Sequence, residues 1–229
     1  MTNLFKLVKH ELGEYFKNPS ILSVVLLPIF MSKVISYAME SSGVEFLMLS
    51  IWILFAQVMV GIMLIGPNLI EEREGKTIDA LLCSPLNFFQ IIMAKGLAIL
   101  FFSLLSQLAV YIINRGFDSK LVIVLIPMVI GGIIFIEIGA VIGMTISSSK
   151  NGSAVSAVVM VLLFLVVSVY PSLPKWTYKF FLILPSVDVT EVMTALMDTG
   201  KILWCESAIG IGWLVLLTVV LGIIGKKKS

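Results

Sequence analysis

Long apolar runs alternate with short polar gaps along the whole chain. An α-helix rises 1.5 Å per residue, so about 20 mostly apolar residues cross a bilayer. Runs of that kind predict six spans: Ile21–Met39, Phe46–Ile70, Ile91–Ile113, Leu121–Ser147, Ala154–Tyr170 and Ser207–Gly225. Ala154–Tyr170 is the shortest and carries no charge, whereas Leu121–Ser147 is long and contains Glu137. Together they use nearly all of the chain, so residues 1–229 are expected to form one all-α, polytopic transmembrane domain.

Ahead of the first run the pattern changes. Leu4, Phe5, Val8, Leu12, Tyr15 and Phe16 recur at helical spacing, while Lys6, Lys9, Glu14 and Lys17 fall elsewhere. This predicts an interfacial helix over 3–17, lying flat with its lysines near anionic headgroups. Such a helix either anchors the chain or contacts a partner, and the pattern leaves both open. Asn18-Pro19 reads as an N-cap and first helical residue for the first span. No apolar run precedes the charges of the opening residues, so they are not read as a secretory signal.

Composition agrees with the pattern. The chain is 59% hydrophobic and 13% charged, with a mean hydropathy of +1.08; soluble domains carry about 25% charged residues. A net charge of +2 is too small for a nucleic-acid footprint. Cys83 and Cys205 fall on opposite sides of the predicted membrane, and His10 has no Cys or His neighbour, so no disulfide or metal cluster is expected. Ten Lys and Arg residues lie on the side of both termini and five on the other, which predicts cytoplasmic termini.

The gap after the second run, "EEREGKTIDALLCSPL" at residues 71–86, contains Gly75-Lys76-Thr77. A phosphate-binding loop would need a glycine five residues before Gly75; Ile70 stands there, at the end of a span, so no such loop is expected. Ile78, Leu81 and Leu82 instead form one apolar stripe, and Pro85 ends the helix that they predict. Asn87 with Gln90 resembles a capping box opening the third span. A short amphipathic helix between two spans, flanked by Glu71, Glu72, Arg73, Glu74 and Asp79, suits a groove on a cytosolic partner or the membrane surface.

The longer stretch "EEREGKTIDALLCSPLNFFQIIMAKGL", residues 71–97, resembles the loop after the second span of ABC-2-type permeases, the membrane subunits of one class of ABC transporter. The shared pattern is carried by Glu72-Arg73-Glu74, Gly75, Thr77, Leu81-Leu82 and Ser84-Pro85, followed by Ala94-Lys95, where alanine replaces the usual glycine. The resemblance extends to the interfacial N-terminal helix, the six spans and a long external segment before the last. It implies a permease of an exporter working by alternating access, plasma-membrane localisation, and a coupling loop at 71–90 that docks on a separate ATPase subunit. That loop would act through Glu72, Arg73, Glu74, Gly75, Thr77, Ile78, Asp79, Leu81, Leu82 and Pro85. ATP and Mg would be bound by the partner, with no cofactor or catalytic group in this chain, and two permeases would pair with two ATPases.

Charges inside spans are costly and often functional. Lys33 and Glu137 lie at depths of about 20 and 15 Å from one side, so they are expected to be able to pair; Glu137 is also a candidate translocation residue. Lys95 is expected to snorkel to the interface. Gln57 and Gln107 are candidates for an interhelical hydrogen bond, and Gly139 and Gly143 permit close helix approach within one subunit or at a dimer seam. The external segment 171–206 mixes aromatics, acids and three prolines and is read as short interfacial or re-entrant helices. An apolar wall with few polar groups suits amphipathic or hydrophobic substrates. Two rival readings are a channel or secondary transporter using Glu137, and a scaffold that only recruits a cytosolic protein.

Overall fold

The computed structural model describes residues 2–38, 45–77 and 87–226. Helix α1 (Thr2–Lys17) precedes the spans α2 (Pro19–Ala38), α3 (Glu45–Glu74), α4 (Phe88–Arg115), α5 (Lys120–Thr145) and α6 (Ser149–Val169). Two 3-10 turns and a short helix α7 (Tyr178–Phe181) lead to α8 (Pro185–Asp198) and the last span, α9 (Trp204–Lys226). The six long apolar helices match the six predicted runs.

The caps follow the side chains that the sequence places there. The Asn18 carboxamide oxygen accepts from the Ser20 N–H at 3.0 Å, opening α2. Asn87 and Gln90 form a reciprocal capping box, with bonds of 2.9 and 3.0 Å, opening α4. Helix α6 starts at Ser149, five residues ahead of the apolar run read from Ala154. Its polar first turn meets acidic side chains at the end of α3, so it needs no apolar surroundings to be helical.

Helix α3 is the axis of the bundle. Ile53, Leu54, Ala56, Val58, Val60 and Ile62 have no exposed surface. Its closest partner is α5, and the pair touches backbone to backbone. A methyl group on Gly139 would sit 2.6 Å from Ile65 Cγ2 and 2.9 Å from Ile62 Cα. One on Gly143 would sit 2.8 Å from the Gly66 carbonyl oxygen. The Gly139-x-x-x-Gly143 spacing therefore serves packing inside one chain. Around this axis, Leu26, Phe30, Val158, Leu162, Val215 and Val219 are exposed on α2, α6 and α9, as a lipid-facing surface requires.

Helix α8 is not a surface loop. Val187, Ser186, Thr190, Met193 and Met197 are fully buried against α3, α5 and α9. The Thr194 hydroxyl donates to Ser50 Oγ at 2.8 Å, and the Trp213 indole N–H donates to the Ile183 carbonyl at 2.7 Å, fastening the segment to α3 and α9. The segment 171–206, expected to hold short re-entrant or interfacial helices, contains two 3-10 turns, a four-residue helix and the buried 14-residue helix α8.

Candidate functional site

The terminal face of the bundle, where α1 and the end of α9 lie, concentrates the charged contacts. At its centre is the last turn of α3, whose four consecutive residues Glu71, Glu72, Arg73 and Glu74 point in different directions around the helix. Between them they reach α4, α5 and α6.

Arg73 reaches the end of α5. Its guanidinium donates to the carbonyls of Gly143 at 2.8 Å, Met144 at 3.2 Å and Ile146 at 3.0 Å. The last carbonyls of a helix have no intrahelical donors and form the negative end of its dipole, so a cation is favoured there. Glu74 does the reverse at the start of α6, accepting from the Ser149 backbone N–H at 3.1 Å, while Glu71 accepts from the Ser149 hydroxyl at 3.4 Å. A negative charge complements the positive end of that helix.

Glu72 turns inward. Its Oε1 accepts from Lys95 Nζ of α4 at 2.5 Å, and the same ammonium donates to Glu11 Oε1 of α1 at 2.7 Å. Lys95 is 1% exposed. The expectation that it snorkels to the interface is corrected: two carboxylates hold the ammonium inside, because a buried cation persists only when it is paired. Tyr15 lies one turn beyond Glu11, packed against Phe102 of α4 with ring centroids 6.0 Å apart. Burial, then the carboxylates of Glu11 and Glu72, hold its phenol above the usual tyrosine range. Helix α1 is therefore locked to α4 by an ion pair and an aromatic contact, and an open cleft of about 570 Å³ remains between α1, the start of α2 and Asn68 and Glu72 of α3.

Helix α3 then ends abruptly. Lys76 adopts a left-handed conformation, φ 54°, and the Thr77 hydroxyl donates to the Glu72 carbonyl at 3.0 Å. Gly75 donates its N–H to the Glu71 carbonyl at 2.8 Å. Gly75 and Thr77 thus sit in the device that terminates α3. The helix read over Ile78–Leu82, with Asp79, Leu81, Leu82 and Pro85, lies outside the described residues.

Within the membrane, Gln57 Nε2 donates to Gln107 Oε1 at 2.9 Å and lies 3.3 Å from the Met128 carbonyl, joining α3, α4 and α5 as the sequence suggested. The Lys33–Glu137 pair is not formed. Glu137 Oε1 accepts from the Thr218 hydroxyl of α9 at 2.6 Å, and Lys33 Nζ stands 3.5 Å from the Ile113 carbonyl at the end of α4. Depths within about a turn of each other did not bring them together, because α2 packs against α3 and α4 while Glu137 faces α9. Glu11 escaped the sequence reading, although a carboxylate at the helical spacing of Val8, Leu12 and Tyr15 is the signal that would have found it.

At the opposite face, Asp118 gathers the Tyr111 hydroxyl at 2.6 Å and the Arg115 guanidinium at 2.5 Å. The Tyr111 hydrogen bond, then Arg115, hold its carboxyl below the usual aspartate range. Arg115 also lies 4.6 Å above the Phe46 ring. Nearby, Lys120 donates to the carbonyl of Met197 at the end of α8.

A comparison with curated proteins found no match. A family model described as ABC-2 family transporter protein matches residues 23–226, which take in all six spans apart from the first turn of α2. A membrane-embedded transport component is what this arrangement builds, and the chain belongs to the ABC-2 family of transporter proteins.

Proposed function

We propose that this chain is the permease subunit of an ATP-driven exporter, a single transmembrane domain with both termini in the cytoplasm of the cell membrane. A separate ATPase subunit carrying ATP and Mg docks on the loop 71–90, and a second permease completes the pathway for an amphipathic or hydrophobic substrate. ATP-driven closure of the ATPase pair shifts the permeases between inward- and outward-open states through contacts that differ between the two.

The observation that carries this reading is the fourfold clamp at Glu71–Glu74. The residues entering the docking loop are fixed to α4, α5 and α6 by charged contacts, and through Lys95 of α4 to Glu11 of α1. A push delivered to that loop therefore reaches three elements directly and a fourth, α1, through Lys95. Such a hub is of little use to a channel gated from elsewhere.

Photo-cross-linkers at Asp79 and Leu82 in cells test the reading. They are expected to trap a polypeptide with Walker motifs, and vesicles holding both proteins are expected to move substrate only with ATP. Hydrolysis by the purified chain alone, or transport that ignores ATP, overturns it.

A further inference from the structure

The terminal face pairs its charges; the segment before the last span does not. Asp188, near the start of α8, is 1% exposed, and its Oδ1 has no hydrogen-bond partner. It forms part of the wall of a cavity of about 220 Å³ between α5, α8 and α9, lined besides Ser207 by apolar residues such as Val189, Val192 and Leu196. Ile126, Ile202 and Ile211 stand at the cavity too and are themselves exposed, so its mouth opens sideways, where acyl chains would lie. Gly210 completes the wall opposite the carboxylate: a methyl group there would come within 2.9 Å of Asp188 Oδ2.

A buried carboxylate without a partner is costly, and the cost is removed when a cation enters beside it. The groups around Asp188 offer none. Glu206 of α9 is near enough to disfavour its charge, Glu191 lies on the same helix, and Tyr178 spends its hydroxyl on Glu206 at 3.2 Å. Among the described residues none of these three acids forms an ion pair with Lys or Arg. Ser207 apart, the remaining wall is apolar, so the missing partner carries its positive charge on an apolar body. At about 220 Å³ the space is below the roughly 300–1,000 Å³ of drug-sized sites, enough for one chain or one ring.

We propose that this cavity is a binding site for an alkylammonium group, the ammonium held by Asp188 and the alkyl chain lying between α5 and α9. As a site it stands independently of the export reading; as the class of substrate exported it rests on that reading. The same chemistry occurs in a soluble amphipathic amine and in an aminophospholipid headgroup.

Full-length protein in phosphatidylcholine nanodiscs, titrated with octylammonium and followed by Trp fluorescence and thermal unfolding, tests the site. Octylammonium is expected to bind at least tenfold more tightly than octanol, and Asp188→Asn to erase that preference. Equal binding of octanol, or an unchanged preference in Asp188→Asn, overturns the proposal. If Asp188→Asn fails to fold, Ile126→Trp fills the mouth from the exposed side and is expected to weaken octylammonium binding by the same tenfold; unaltered affinity there overturns it equally. Replacing part of the phosphatidylcholine by phosphatidylethanolamine identifies the source: competition assigns the site to the lipid amine, and its absence to a soluble amine. Octylammonium binding without ATP-dependent export would leave the site standing and remove the export reading alone.

Discussion

The two ends of this bundle handle buried charge in opposite ways. At the terminal face, Lys95 sits between Glu11 and Glu72, Arg73 satisfies three carbonyls and Glu74 caps α6. Beside α8, buried Asp188 and half-buried Glu191 lie near Glu206, and among the described residues none of the three pairs with Lys or Arg. Compensated charge fixes elements to one another; uncompensated charge leaves a demand that something mobile must meet. On the function and the site proposed above, the first end transmits and the second receives.

The largest effect is expected from breaking the compensated end. Lys95→Met leaves Glu11 and Glu72 facing each other without their cation, and losing one member of a buried ion pair costs about 3–5 kcal/mol. Thermal unfolding in detergent should show the loss, and adding Glu11→Gln and Glu72→Gln should recover most of it. Arg73→Gln removes a charged donor from three carbonyls. Its cost is about 1.5–3 kcal/mol for charge-assisted bonds, read by the same unfolding measurement; the proposed function adds that coupling between ATP use and transport is weakened.

The uncompensated end is sharpened by pH. Burial, then Glu206, push the Asp188 carboxyl up to about 7. The fold therefore favours the neutral acid. That contribution is complete below the ordinary aspartate value of about 4 and is lost as pH rises to about 7. Without added amine, the wild-type melting temperature is expected to fall across this window more steeply than that of Asp188→Asn; parallel curves would contradict the assignment. Octylammonium should reverse the sign near pH 7, stabilising wild type alone. The smallest effect concerns the end of α3: Lys76→Gly relieves a left-handed lysine and is expected to raise stability by up to about 1 kcal/mol, seen as a small rise in melting temperature.

Much of the fold was legible because membrane spans and caps are local. Asn18, Asn87 and Gln90 cap as their spacing suggests, and the apolar runs mark the spans to within a few residues, save the polar first turn of α6. The site was less so. Glu11 and Lys95 are 84 residues apart, and no period connects them. Helical rise set the depth of Lys33 and Glu137 but said nothing of the direction each faces, and direction decided their partners. The motif at Glu72–Glu74 was picked out by resemblance, whereas its contacts emerge only once the ends of α5 and α6 are placed.

The glycine contact between α3 and α5 has a mechanical corollary. With Gly139 and Gly143 pressed against the backbone of Ile62 and Gly66 and against the side chain of Ile65, the contact leaves no slack to act as bearing or spring. The two helices can only tilt as one beam. Any rocking that opens a passage must hinge at the thinner seams around that beam, and the segments free to swing are those clasped to it by side chains alone.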